Sequence, residues 1–322
     1  MDVFQQGLPD EGWDARQRAR GGHMLQGRPW ALFQQALGKE IIWAEGEGWS
    51  WLATVTQGRG VRYLYATYGP TVASPDRLNE ALTSLSAAAR SRGLDFVRCE
   101  PIGVGEEAVE GAGLRRVKMV QPQHSLIVDL TKGEEELRAD LSSSHRNTIN
   151  GTERRGLTLR PSTDMADLDA FLALTHATAK DRGILPHPDS YYRTMLEVLM
   201  PIGAAKLFLA EYEDKAVSVS IALDYEGTRG YAHTGNDPEA RKLRATAPLV
   251  WAMMLDAKEH GLARFDLWGI APEGAPAGHP WAGFTEFKRA FGGTEIAYNG
   301  TWELPLKKAK YGLWSLAKRV SS

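Results

Sequence analysis

Two stretches of this 322-residue chain read as copies of each other. ARSRGLDFVRCEPIG occupies 89–103 and AKEHGLARFDLWGIA occupies 257–271. In each, an amphipathic helix runs into a glycine, Gly93 or Gly261, and a short apolar strand follows. The segments before them also match. Glu40–Glu45, Trp49–Thr56 and Val61–Tyr68 read as strands leading to a helix that opens at Ser74-Pro75-Asp76, with Leu78, Leu82, Leu85 and Ala89 on one stripe. Lys206–Glu211, Ala216–Leu223 and Gly230–Thr234 read as strands leading, through a loop over 236–246, to a helix with Pro248 in its first turn. Strand, hairpin, strand, loop, helix and strand thus occur twice, which predicts two copies of one mixed α/β unit.

The remainder is placed around these copies. Residues 1–23 read as irregular, and Met24–Leu37 as a helix with Pro29 in its first turn. Gln121–Leu130 reads as a strand between the copies, followed by helices over Glu134–Leu141 and Asp164–Lys180 and another begun at Asp189. The stretch HPWAGFTEFKRAFGG at 279–293 follows a buried strand, Phe265–Ile270, and a Gly/Pro/Ala loop. Phe284, Phe287 and Phe291 recur at spacings of three and four, predicting one aromatic helix face beside Lys288, with Gly292-Gly293 as the stop. A strand end that feeds a loop and a helix start is a usual place for α/β chemistry.

Composition narrows the functional classes. A net charge of −2 provides no global basic field for nucleic acid, so any such contact has to come from local patches. Cys99 is the only cysteine, which rules out an intrachain disulfide and predicts a reducing compartment. The polar, acidic start is unlike a signal peptide, and no apolar run approaches the ~18–20 residues of a membrane span. A cytoplasmic protein is expected. The eight histidines are scattered without metal-ligand spacing, so no metal is expected.

The order F-D-L-x-G-I … H-P-x-A-G-F-x-x-F-K-x-x-F-G-G resembles the C-terminal signature of the FemABX family, non-ribosomal peptidyltransferases that use aminoacyl-tRNA. Gln121-Pro122, Ser125 and Asp129-Leu130, with Arg146, Asn147, Arg155 and Gly156, resemble a second pattern of that family. The resemblance covers nearly the whole chain and lacks only an insertion long enough for the coiled-coil arm of larger members. It implies tandem N-acetyltransferase-like (GNAT-like) α/β domains with a cleft between them. The first domain is expected over 1–135 plus 303–322 and the second over 136–302. The implied activity moves Gly, Ala or Ser from aminoacyl-tRNA to a stem-peptide amine of a UDP-linked or lipid-linked muramyl-pentapeptide precursor, with no other cofactor and a monomeric enzyme.

Residue by residue, the resemblance assigns Lys288 to the reacting end of the aminoacyl-tRNA, with Phe287 packed on it. Asp266 is the nearest candidate base by sequence, although an aspartate there can equally cap the loop through backbone N–H groups. Acceptor contacts fall on Gln34, Tyr68, His187, Tyr191 and Tyr231. Gln34 stands where the family has a lysine and His187 where it has an arginine, which removes two permanent charges from a diphosphate site; Arg182 is one candidate to replace them. Arg146, Arg241 and Arg244 are candidates for tRNA. The loop before the helix over 248–260 lacks the glycines of a CoA-binding loop, which argues against the alternative of a CoA-dependent N-acyltransferase. The intact F-K-x-x-F-G-G argues against a non-catalytic precursor-binding module. The last segment, PLKKAKYGLWSLAKRVSS, is basic and aromatic without acids, a composition that suits an anionic membrane surface, RNA, or a docked helix with a solvated face.

Overall fold

The computed structural model describes residues 4–58, 60–276 and 278–320. In chain order its elements are β1 (Gln5–Gln6), α1 (Trp13–Ala19), α2 (Arg28–Ala36), β2 (Ile41–Gly46), β3 (Trp49–Gly58), β4 (Val61–Ala66), β5 (Thr71–Val72), α3 (Pro75–Ser91), β6 (Phe96–Cys99), α4 (Glu106–Gly111) and β7 (Arg115–Arg116). Then follow β8 (His124–Asp129), α5 (Glu134–Asp140), α6 (Ser143–Asn150), β9 (Leu157–Ser162), α7 (Leu168–Arg182), α8 (Asp189–Leu199), β10 (Ala205–Tyr212), β11 (Lys215–Tyr225) and β12 (Thr228–Asn236). The chain ends with α9 (Thr246–Glu259), β13 (Arg264–Gly269), α10 (Ala282–Arg289), β14 (Thr294–Ala297), β15 (Trp302–Pro305) and α11 (Lys308–Val320).

The chain divides into two units, residues 1–123 with 297–322 and residues 124–296. The division lies earlier than the expected 135/136 and 302/303, because β8 hydrogen-bonds to β13 and so belongs to the second sheet. The first unit has the strand order β1-β2-β3-β4-β6-β15-β7, with β5 on β3. Its core lies between this sheet and α3, whose Leu78, Ala81, Leu82, Leu85, Ala88 and Ala89 are buried as the stripe predicts. Residues 1–23 are not irregular throughout. Trp13 anchors α1 by burying its ring against Trp43 and donating Nε1–H to the Gln26 carbonyl at 2.7 Å. A seven-residue helix rich in arginine has little apolar periodicity, so tertiary burial of one tryptophan decides it.

The second unit has the order β14-β8-β13-β12-β11-β10-β9, with α9 packed by Leu249, Val250, Met253, Met254 and Ala257. In each unit the strand that follows the glycine-stopped helix forms a parallel pair. β4 pairs with β6 from Tyr63↔Phe96 to Ala66↔Cys99, and β12 with β13 from Thr228↔Arg264 to Gly230↔Asp266. Gly93 and Gly261 both adopt the left-handed conformation (φ 62° and 75°), so the repeated glycine stops the helix in the same way twice.

Candidate active site at the end of β13

β12 leaves β13 after Gly230 and continues to Asn236 paired only with β11, so the two parallel strands part company. On the far side, β13 is irregular between Asp266 and Gly269, where it pairs with β8, and Trp268 takes a left-handed backbone (φ 63°). Asp266 stabilises this kink, since its Oδ1 accepts the Trp268 backbone N–H at 2.7 Å and the Ser125 hydroxyl. The loop-capping role thus accounts for one oxygen of Asp266. Burial raises its pKa, opposed by these hydrogen bonds and by the charge of Lys288.

Past the kink in β13, its last carbonyl and the Ala271 amide face α10. The Ala271 N–H donates to Thr285 Oγ1 at 2.8 Å, and Lys288 Nζ donates to the Gly269 carbonyl at 2.7 Å. Thr285 and Lys288 lie three residues apart and are the buried pair of α10, with Lys288 only 9% exposed. This corrects the expected helix face. Phe287 and Phe291 do pack together and against the His145 ring (centroids 5.1 and 4.6 Å), but Phe284 is half-buried and lies under Lys288 Nζ, 5.1 Å from its ring centre, and beside Trp281. Phe287 therefore packs on its own side of the helix, and the aromatic that meets the ammonium is Phe284. Burial lowers the Lys288 pKa to about 8, with Asp266 partly opposing the shift. Such a lysine carries charge at neutral pH yet gives up a proton easily.

The helix stops where backbone crowding demands glycine. Gly292 and Gly293 have φ of 77° and 99°, and a Cβ on Gly293 would lie 2.6 Å from the Ile127 carbonyl. This close approach lets β14 join β8.

The other expected residues separate by unit. In the first unit, Gln34 is buried and accepts from Lys39 Nζ at 2.8 Å, and burial lowers the Lys39 pKa. Tyr68 is buried with φ 47°, its ring lies tilted against those of His23 and Tyr298 (centroids 4.1 and 4.6 Å), and its hydroxyl donates to the Pro122 carbonyl at 2.7 Å. In the second unit, exposed His187 stacks on Tyr191 (4.0 Å, 15°) next to His233, whose pKa burial lowers to about 3. Tyr231 is buried with Ser220 and Thr234, and burial raises its pKa. A separate cavity of ≈ 220 Å³ at the start of α9 is lined by Arg182, Arg241, Arg244, Asp181, Asn236 and Thr246, among others. Arg241 is neutralised there by Asp181 at 2.5 Å, whereas Arg244 donates to Ser144 Oγ at 3.1 Å. Arg146 is exposed on α6 and donates to the Leu141 carbonyl. Thr285 and His145 were not singled out from sequence, and Ser125 and Gly269 entered only as positions of the family patterns. Only the i, i+3 spacing of Thr285 and Lys288 hinted at a shared face.

Residues 143–289 match the model of an acetyltransferase (GNAT) domain. Among curated proteins, the chain is 26% identical over 208 residues to the UDP-N-acetylmuramoylpentapeptide-lysine N(6)-alanyltransferase of Weissella viridescens, covering 64% of this chain and 56% of that protein. It is 23% identical over 231 residues to the lipid II:glycine glycyltransferase of Staphylococcus saprophyticus subsp. saprophyticus, covering 62% and 55%. The chain thus spans little more than half the length of these relatives. The crystal structure of FemX superposes with a TM-score of 0.83 at 17% identity, covering 96% of this chain and 99% of that one. The chain is thus similar to FemABX-type transferases. Its fold is the tandem GNAT-like one. Among the described residues, no helix is long and apolar enough to cross a membrane.

Proposed function

We propose that this protein is an aminoacyltransferase that moves Gly, Ala or Ser from aminoacyl-tRNA to the side-chain amine of a peptidoglycan stem peptide, building an interpeptide bridge. The observation that carries this reading is a buried lysine held by the last carbonyl of β13, beside the opening between the parted strands. The names of the two relatives support the acceptor class. In the reaction the acceptor nitrogen attacks the ester carbonyl and a C–N bond forms. The C–O bond to the tRNA breaks, and the proton lost by the amine ends on the released 3′ hydroxyl.

Lys288 serves as the cation toward which the developing oxyanion turns, and its low pKa suits it to pass on a proton. Asp266 holds the kink that presents Lys288 and is a weaker candidate for the base, since one oxygen is already engaged. Phe287 braces the helix against His145. Arg146, Arg241 and Arg244 are assigned to tRNA phosphates. Gln34, Tyr68, His187, Tyr191, Tyr231 and Arg182 are assigned to the acceptor, with Lys39 placing its ammonium on Gln34 at a position where the family has a lysine. Aminoacyl-tRNA serves as the sole co-substrate, without a further cofactor, in the cytoplasm. The test is incubation with individually charged tRNAs and either UDP-linked or lipid-linked pentapeptide, with products read by mass. Addition of one residue from charged tRNA is expected. Acylation from acetyl-CoA with none from charged tRNA would overturn the proposal.

A further inference from the structure

The helix α11 separates its two kinds of apolar residue onto opposite faces. Tyr311 and Trp314 turn inward, where both meet the Phe96 ring (5.4 and 5.1 Å) and the Tyr311 hydroxyl donates to Glu303. Leu313 and Leu316 lie roughly 160° around the helix from that pair at 100° per residue. They are 72% and 61% exposed. Docking α11 on β6 therefore does not use the leucines, and they form an exposed apolar stripe.

Charge indicates what covers that stripe. The segment 307–319 holds five cations and no acid. Lys307 and Lys310 reach Asp95 while remaining half-exposed, Lys308 is exposed, and Lys318 lies over the Trp314 ring. Leucines outward with lysines on both flanks match the interface between acyl chains and anionic headgroups. A protein partner of this chemistry would need carboxylates ringed around an apolar groove, whereas the apolar cavities described at Trp49–Ala87 and Thr163–Pro201, which a second copy could offer, hold a single carboxylate each, Glu80 and Glu197.

We propose that the outward face of α11 is a membrane-docking surface that seats Leu313 and Leu316 at the surface of an anionic bilayer, with Lys308 and its neighbours on the headgroups. This goes beyond the transferase reading and does not depend on it. Binding needs no turnover, and the face belongs to the first unit.

The experiment is co-sedimentation of the full chain with vesicles of phosphatidylcholine alone and of equal parts phosphatidylcholine and phosphatidylglycerol. Binding to the anionic vesicles only is expected. The double variant Leu313→Ser/Leu316→Ser should weaken it by at least about tenfold, since two leucine side chains lose their apolar burial. Lys308→Glu should weaken it by roughly fivefold or more. An unchanged melting temperature of the double variant shows that the inward face still holds α11. Equal sedimentation of parent and double variant, no binding to anionic vesicles, or a concentration-dependent dimer that the double variant loses would each overturn the proposal. So would RNA binding that uses the lysines and ignores the leucines.

Discussion

The same parallel strand pair is closed in the first unit and open in the second. After Ala66 and Cys99 the first pair runs directly into a carboxylate, Glu100, which is 2% exposed and accepts from the Tyr68 backbone N–H, the Tyr65 hydroxyl, the Gln121 N–H and the Thr301 hydroxyl. Burial raises the Glu100 pKa and these donors oppose the rise. The space where the strands would separate is thereby filled with satisfied polar groups. At the equivalent place the second unit has an early end to pairing and a buried ammonium with a single carbonyl partner. A fully partnered buried charge suits structure, whereas a sparsely partnered one has a mobile proton. On the proposed function, this contrast places the chemistry in the second copy and support in the first.

The contrast breaks most severely if Glu100 is removed. Glu100→Ala leaves four donors facing a cavity, and losing one partner from a buried charged network typically costs about 3–5 kcal/mol. Chemical denaturation should show that loss in the unfolding free energy. A loss below about 1 kcal/mol, the scale of an exposed pair, would mean that water or another group already serves those donors. Because the damage falls on the first unit's fold, the expected signature is unfolding, not a slower chemical step.

Lys288→Ala should act in the opposite way. Removing a group that meets charge only as it develops typically lowers the rate by about 10²–10³. Single-turnover transfer should fall by that factor, while acceptor affinity stays within a few-fold of the parent. Lys288→Arg should restore only part of the rate, since a planar guanidinium does not fit a site shaped for one point charge against the Gly269 carbonyl. Turnover of Lys288→Ala within a few-fold of the parent would reduce α10 to a core element and erase the difference between the two copies.

Much of this architecture was legible because it rests on local rules. Gly93 and Gly261 mark two helix stops, and the leucine stripe of α3 is buried as its spacing predicts. The site was legible in part. Lys288 stood out by its motif, yet periodicity placed it only beside an aromatic face. What buries it is the Gly269 carbonyl, exposed by the kink at Trp268, and a backbone kink leaves no periodic trace in the residues that cause it. Glu100 was passed over for the same reason. Its four donors come from Tyr65, Tyr68, Gln121 and Thr301, which only the fold gathers. Arg241 drew attention as part of a basic run, but the carboxylate that neutralises it, Asp181, is sixty positions away.

The smallest expected effect measures the burial of Lys288 directly. Burial holds its folded pKa at about 8, below the ordinary lysine value of 10.5. Below pH 8 both folded and unfolded chains carry the proton, so the full cost of burying the charge is present. Between pH 8 and 10.5 the unfolded chain binds more protons than the folded one, so stability rises with pH across that window and levels off above it. At about 1.4 kcal/mol per pH unit the whole relief amounts to roughly 3 kcal/mol, an upper bound. Lys288→Met keeps the apolar stem and removes the charge, but leaves the Gly269 carbonyl without its donor, a loss of about 1–3 kcal/mol. At neutral pH the two contributions nearly offset, and the variant should melt close to the parent. As pH rises toward 10.5 the parent gains stability and the variant does not, so the parent should pull ahead. Melting curves of the two proteins from pH 7 to 10.5 test this. A gap that stays constant over that range would mean that the ammonium is solvated, and that the second copy is no more open to chemistry at this point than the first.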